Sequence, residues 1–122
     1  MADNSFLHWP FFEEKHKKLA LQLKEWAQAE LSGFSTESSN VDQTCQQLVI
    51  KLAKAGWLDY CVPKEYGGVY SKFDVRSLCL IRETLAGFSG LADFVFAMQG
   101  LGSGTISLFG SAELQSKYLP DV

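Results

Sequence analysis

The 14 residues from 55 to 68 constrain the fold of this chain more than any other stretch of its sequence. Gly56 suits the left-handed position that follows the last turn of a helix, and the apolar residues after it can make the contact that accompanies such an ending. Pro63 prevents a helix from running through the segment. Gly67 and Gly68 allow a positive φ or a close backbone approach. The segment therefore predicts a helix that ends at Gly56, an apolar cluster packed beneath that end, and a sharp turn.

The composition is that of one globular domain without a charged binding surface. The chain has 122 residues, which is enough for a single hydrophobic core. Apolar residues make up 47% and charged residues 20%, so wholesale disorder is excluded. The formal net charge is −3, which leaves no basic surplus with which to bind nucleic acid or an anionic membrane.

Cysteine usage and the N-terminus favour a cytoplasmic protein. The three cysteines are an odd number at wide spacing, which fits neither a disulfide framework nor a zinc site. We expect Cys45 and Cys79 to be buried free thiols on apolar helix faces. The N-terminus has no basic region followed by an apolar core and a cleavage site, so no secretory signal is predicted.

Apolar residues recur at spacings of three and four, which predicts an all-α fold, a small helical bundle. Residues 1–8 are interpreted as a flexible leader and residues 9–122 as the folded domain. We expect Pro10 in the first turn of the first helix. The predicted inner faces of the first three helices are Phe12, His16, Leu19, Leu23, Trp26 and Ala27, then Cys45, Leu48, Val49 and Leu52, then Leu78, Ile81 and Leu85, with Phe88 as a further candidate.

Polar residues mark the starts of the later helices. Residues 35–39 form a polar linker, and Asn40 is expected to cap the second helix. Either Ser71 or Asp74 can cap the third helix, and Ser111 is expected to cap a short final helix.

A long uncharged run occupies the second half of the chain. Between Thr84 and Ala112 the only charged side chain is Asp93. A membrane span takes about 20 largely apolar residues, so the run is long enough for one. Six glycines and several serines interrupt it, so we favour helices that are buried on every face within the bundle. Close helix packing or a break between two buried helices is expected at residues 100–104.

The residues by themselves predict no catalytic or metal-binding site. His16 lies among apolar residues without a second ligand at a suitable spacing, so a packed histidine is favoured over a catalytic one. The glycine cluster at 100–104 lacks the preceding strand, the spacing and the lysine of nucleotide-binding loops. Arg82 and Glu83 are interpreted as surface or capping charges.

The 55–68 segment and the helices after it resemble the acyl-CoA dehydrogenase family. The helix end and loop match as Ala55-Gly56-Trp57 and Val62-Pro63-Lys64-Glu65-Tyr66-Gly67-Gly68. The next two helices match in order and spacing through Arg82-Glu83-Thr84-Leu85-Ala86 and Ser89-Gly90-Leu91-Ala92-Asp93. Residues 109–120 resemble the family's closing helix, G-x-x-x-Q-K-x-x-x-L-P, with Ser116 where a basic or polar residue can stand.

This resemblance implies an N-terminal domain without the chemistry of the whole enzyme. Members are flavoproteins with an N-terminal helical domain, a middle β domain and a C-terminal helical bundle, and only the first is matched here. In the family, a glutamate of the C-terminal bundle removes an α-proton from an acyl-CoA thioester and the β-hydride passes to FAD. The resemblance therefore implies FAD, an acyl-CoA substrate and an electron-transfer acceptor for a full-length parent. It implies no catalytic residue, no cofactor-binding residue and no tightly bound FAD for this chain alone.

The resemblance also implies one candidate binding surface. In the family, the helix after the Ser89-Gly90 break borders the pocket for the acyl tail, and here it carries Phe94, Ala97, Met98 and Leu101. The bulk of Phe94 and Met98 implies a short or compact acyl group. The same four residues at the same spacing can instead be bundle core, and for each one taken singly bundle core is the favoured interpretation.

Two other functions stay open from the residues. The chain can be a non-catalytic helical module that reuses the fold for interaction or scaffolding, or a carrier of apolar ligands that uses the uncharged run. An N-terminal domain without the domains that normally cover it would expose apolar surface, so we expect the isolated chain to self-associate.

Overall fold

The chain forms a small bundle of α-helices. A computed structural model describes residues 3–33 and 40–122. In these residues the helices are α1 (Glu14–Glu30), α2 (Val41–Lys54), α3 (Val75–Phe88), α4 (Gly90–Phe109) and α5 (Ala112–Tyr118), and there is no strand. Short 3-10 helices lie at Ser5–His8, Leu58–Cys61, Lys64–Tyr66 and Leu119–Asp121. The predicted all-α class is confirmed, and the linker predicted at 35–39 lies outside the described residues.

Polar side chains begin three of the helices. The Gln43 N–H donates to Asn40 Oδ1 over 3.1 Å, and the Leu114 N–H donates to Ser111 Oγ over 3.3 Å, so both predicted caps are confirmed. Ser89 caps α4 in the same way. Such a cap satisfies a backbone donor that has no partner inside the helix.

The first helix starts later than the sequence predicts. Pro10 was expected in its first turn, but α1 begins at Glu14. Glu13 occupies the cap position, its backbone carbonyl accepts from the His16 N–H over 3.0 Å, and His16 Nδ1 accepts from the Glu13 N–H over 2.9 Å. This reciprocal pair satisfies two backbone donors at once, which fixes the start beyond the proline.

Helices α3 and α4 form the centre of the bundle. Helix α1 packs against α3, and α2 packs against α4, while α3 and α4 pack against each other. Each fully buried Leu or Phe contributes about 1.5–3 kcal/mol relative to its exposed state. The largest buried side chains of the core are Leu23, Leu48, Leu52, Leu58, Ile81, Leu85 and Phe96.

The 55–68 segment has the predicted conformation. Gly56 has φ 77° and Gly67 has φ 101°, so both adopt the left-handed region. The Trp57 N–H donates back to the Leu52 carbonyl over 3.0 Å, which is the six-to-one bond of a Schellman ending. At Gly68 an added Cβ would lie 1.7 Å from the Val62 carbonyl oxygen. The backbone approaches so closely here that the turn requires glycine at this position.

The cysteine predictions are partly wrong. Cys79 is exposed and Cys45 is only half-buried, whereas Cys61 is the buried thiol. Position 79 is two residues before the buried Ile81, and two residues turn about 200° around a helix, so its side chain points away from the core. Burial, with a smaller effect of the Asp59 charge, raises the pKa of Cys61 to about 12. This thiol is therefore inert at neutral pH.

Helix α4 differs from expectation in two ways. It runs unbroken for 20 residues, so the break predicted at residues 100–104 is absent. It is also not buried on every face, because one side of it carries large exposed apolar residues. In the part of the chain that the structure describes, no helix has the length and apolar character needed to cross a membrane.

Candidate functional site

An apolar groove runs between α3 and α4. It has a volume of about 320 Å³, and Cys61 and Phe96 form its buried floor. Its other lining residues are Phe73, Val75, Leu78, Arg82, Ala97, Gly100, Leu101, Gly104 and Leu108. A groove of this kind, mostly apolar with one charged group, suits an apolar ligand with a defined end.

Two glycines of α4 give the groove its depth. A Cβ added at Gly104 would meet no atom within 4 Å, and one added at Gly100 would lie 3.5 Å from Cys61 Sγ. Both glycines line the groove, so the missing side chains leave space there. Gly104 and Leu108 continue the spacing of three and four from Leu101, which is the sequence signal that could have identified them.

The four residues predicted for the acyl-pocket wall divide into two sets. Ala97 and Leu101 line the groove, whereas Phe94 and Met98 lie beside it on the outer surface of α4. Phe94 is 55% exposed and Met98 is 50% exposed, so neither belongs to the bundle core of this chain. Leu101 is also largely exposed, so the core alternative is wrong for Phe94, Met98 and Leu101, and the role of all four residues in acyl binding stays a prediction.

The outer surface of α4 carries an apolar stripe, here named the α4 ridge. Its members share one side of the helix and are Phe94, Met98, Leu101, Leu108 and Phe109. Phe109 is 85% exposed and Leu101 is 67% exposed. Exposed apolar residues that cluster in this way mark a surface that another protein segment or a ligand covers.

Arg82 is held by Asp93 at the edge of the groove. Arg82 Nε donates to Asp93 Oδ1 over 2.8 Å, and Arg82 Nη2 donates to Asp93 Oδ2 over 3.0 Å. The hydrogen bonds and charge of Asp93 raise the pKa of Arg82. The sequence interpretation of Arg82 as a surface charge missed this pairing, because its partner lies on the next helix.

A second polar cluster joins α1 to α3. His16 is fully buried; its Nδ1 accepts from the Glu13 N–H over 2.9 Å, and its Nε2 lies 2.7 Å from Asp74 Oδ2. Since Nδ1 is an acceptor, Nε2 carries the proton and donates it to Asp74. Both ring nitrogens are engaged, so His16 has no free lone pair with which to act as a base or ligand. The geometry supports the packed-histidine interpretation.

Asp74 is the acceptor at the centre of this cluster. Burial alone would raise the pKa of Asp74, but hydrogen bonds from His16 and Ser77 and the charge of Lys15 lower it to about 2. Asp74 precedes the first residue of α3, as one sequence alternative predicted, yet its carboxylate accepts no bond from the helix backbone. Its side chain instead accepts hydrogen bonds from His16 on α1 and from Ser77.

The described lining of the groove can bind a ligand but supplies no group for acid–base chemistry. It contains no carboxylate and no imidazole; its thiol, Cys61, has a raised pKa, and its one cation, Arg82, is already paired. A flavin and its pyrophosphate need several hydrogen-bond donors, which the described lining does not supply. These residues therefore fit an apolar group and do not fit FAD.

The comparison with known families covers nearly the whole chain. The family model of the acyl-CoA dehydrogenase N-terminal domain matches residues 13–122. This match includes α1 to α5 and every residue that lines the groove.

Individual relatives are similar over the same length. A 3-(aryl)acrylate reductase of Clostridium sporogenes is 29% identical over 110 residues, which are 89% of this chain and 29% of that protein. A probable acyl-CoA dehydrogenase of Bacillus subtilis is 30% identical over 110 residues, 89% of this chain and 18% of its own. The caffeyl-CoA reductase–Etf complex subunit CarC of Acetobacterium woodii is 28% identical over 114 residues, 92% of this chain and 30% of its own. The chain thus spans less than a third of the length of these relatives.

Proposed function

The chain belongs to the acyl-CoA dehydrogenase family as its N-terminal domain, and from this premise we propose that it forms one wall of the acyl-binding site in a longer enzyme. That enzyme dehydrogenates the α,β-carbon bond of an acyl-CoA thioester. The observation that carries the proposal is the apolar groove between α3 and α4, which presents Ala97 and Leu101 to a ligand.

The groove is suited to hold an acyl group and not to react with it. Each buried methylene of a ligand is worth about 0.8 kcal/mol, so an apolar wall contributes affinity along the length of the tail. The volume of about 320 Å³ favours a compact group. Two of the relatives carry names that refer to aryl acrylates and caffeyl-CoA, whose acyl parts contain one aromatic ring. A compact or aromatic acyl group is therefore our proposed ligand class.

The catalytic base and the flavin belong to the rest of the parent enzyme. FAD held by those parts would supply the hydride acceptor, and we propose an electron-transfer acceptor as a partner of the parent enzyme. The residues of this chain bind, orient and shield the acyl tail. We propose a cytoplasmic enzyme, because the odd number of widely spaced cysteines fits a reducing compartment.

The α4 ridge is the surface on which the remaining domains pack. It is contiguous with the groove through Leu101 and Leu108, so a domain that covers the ridge would also close the groove. When this chain is isolated the ridge is open to water, and we propose that it then drives self-association.

The test is a substitution within the groove of the full-length protein. Ala97→Phe would fill the groove and should lower kcat/KM for longer acyl-CoA thioesters by about tenfold or more relative to short ones. Leu21→Phe, at an exposed position of α1, is the matched control and should leave the acyl-length profile unchanged. The proposal would be overturned if no acyl-CoA thioester reduced the flavin, or if Ala97→Phe left the acyl-length profile unchanged.

A further inference from the structure

Arg82 is the single charged residue among the described residues that line the groove. Its guanidinium makes two parallel hydrogen bonds to the two oxygens of Asp93, at 2.8 and 3.0 Å. Such a fork-to-fork pair is stronger and more directional than a single contact. The side chain of Asp93 is 19% exposed and that of Arg82 is 53% exposed, so the carboxylate is the more firmly held partner.

The pair stands at one end of the groove. Ser89 is the single residue between α3 and α4, so the two helices fold back on each other there. Arg82 is the lining residue of α3 closest in sequence to this turn, and Asp93 lies one helical turn before the lining residue Ala97. The other end of the groove lies toward Val75 and Leu108. An acyl tail directed toward the helical turn would therefore meet this ion pair.

We propose that Asp93 determines substrate specificity through Arg82: the pair closes the groove with a group of no net charge, so the groove selects an acyl group with an uncharged end over one that ends in a carboxylate. This inference rests on the proposed function, because it concerns the group that occupies the acyl wall. Asp93 is a positioning residue, and it acts by occupying the Nε–Nη2 edge of the guanidinium and neutralising its charge.

The physical reason lies in competition for one cation. An unpaired arginine beside an apolar groove attracts a carboxylate and binds it in the same two-bond geometry. With Asp93 present, a carboxylate on the ligand finds those donors taken and meets a like charge. Asp93 thus competes with the carboxylate of the ligand for Arg82, and this competition disfavours binding of the charged substrate.

The experiment uses the full-length protein and two acyl-CoA thioesters of equal chain length, one ending in a methyl group and one in a carboxylate. The readout is the ratio of kcat/KM for the two. Asp93→Ala should move this ratio toward the carboxylate by about fivefold or more, since it leaves Arg82 free to pair with the ligand. Asp93→Asn removes the charge with less change of shape and should shift the ratio in the same direction.

Two control variants separate this role from a structural one. The double variant Arg82→Ala with Asp93→Ala lacks the cation and should show no gain with the carboxylate. Glu83→Ala removes a neighbouring exposed carboxylate on α3 and should leave the ratio as in the unmodified protein. An unchanged ratio in both Asp93 variants, or an equal shift in the double variant, overturns the inference while the proposed function stands. If neither thioester reduces the flavin of the unmodified protein, both this inference and the proposed function are overturned.

Discussion

His16 Nε2 and Asp74 Oδ2 lie 2.7 Å apart, and this contact connects two positions that are 58 residues apart in the chain. It ties the first turn of α1 to the start of α3. The same Asp74 oxygen accepts from Ser77 Oγ over 2.9 Å and lies 3.4 Å from Lys15 Nζ. The imidazole is fully buried, so the contact is protected from water and fixes how the two helices meet.

Replacing this histidine should weaken the fold. His16→Ala leaves the Glu13 N–H without its acceptor and Asp74 without its buried donor, so we expect a loss of about 2–3 kcal/mol in the free energy of unfolding. Urea denaturation of the chain measures this loss. His8→Ala, at an exposed position, is the control and should change stability by less than about 0.5 kcal/mol. Equal stability of the two variants would contradict the assigned role of the pair.

Acid should weaken the same contact. The pKa of Asp74 falls from 3.8 to about 2 on folding, so its contribution is fully present above the unfolded value and is lost as the pH falls toward 2. We expect about 2 kcal/mol of stability to depend on this ionisation. Unfolding free energies measured at a series of pH values between about 5 and 2 test the expectation. In Asp74→Asn the chain should be less stable at neutral pH, and this part of the acid dependence should be absent.

The two glycines after Pro63 should respond differently to alanine. Gly68→Ala would place Cβ 1.7 Å from the Val62 carbonyl oxygen, so the loop must open, and we expect a loss of about 3 kcal/mol or more. Gly67→Ala meets no atom within 4 Å and suffers only the left-handed φ of 101°, so the loss should be about 1–2 kcal/mol. Thermal unfolding of both variants gives the order, and a reversed order would refute the close-approach argument.

Two glycines of α4 form a matched pair that separates stability from specificity. A Cβ at Gly102 or at Gly104 meets no atom within 4 Å, so each change to alanine should stabilise the helix by about 0.5–1 kcal/mol. Only Gly104 lines the groove. We therefore expect Gly104→Ala, and not Gly102→Ala, to lower the preference of the full-length enzyme for longer acyl groups. Identical acyl profiles in both variants would count against the groove as the acyl wall.

The α4 ridge should govern the association state of the isolated chain. Phe109→Ser removes the most exposed apolar side chain of the ridge and should lower self-association several-fold, because less apolar area remains to be covered. Sedimentation velocity over a range of concentrations measures the change. Leu21→Ser on α1 is the control, since Leu21 is exposed but lies apart from the ridge. A chain that stays monomeric at every concentration would exclude the proposed association.

Local sequence signals predicted the helix ends well. The ending at Gly56 and the caps at Asn40 and Ser111 depend on residues within a few positions of one another, so the pattern that predicts them is also the pattern that forms them. The start of α1 was misplaced because Pro10 is compatible with a first turn, whereas the Glu13–His16 pair satisfies more backbone groups. Two local signals competed, and the hydrogen-bonded one determined the start.

The all-α class, the positions of most helix ends and the resemblance to a family could be predicted from the residues, because each depends on short-range spacing along the chain. The packing of the helices was needed to show which face of α4 is buried, that Ala97 and Leu101 line a groove while Phe94 and Met98 do not, and that Arg82 pairs with Asp93. The reason is physical. A face, a groove or an ion pair between two helices depends on how the helices rotate and pack against each other. The spacing of apolar residues in an almost uncharged helix such as α4 leaves that rotation undetermined.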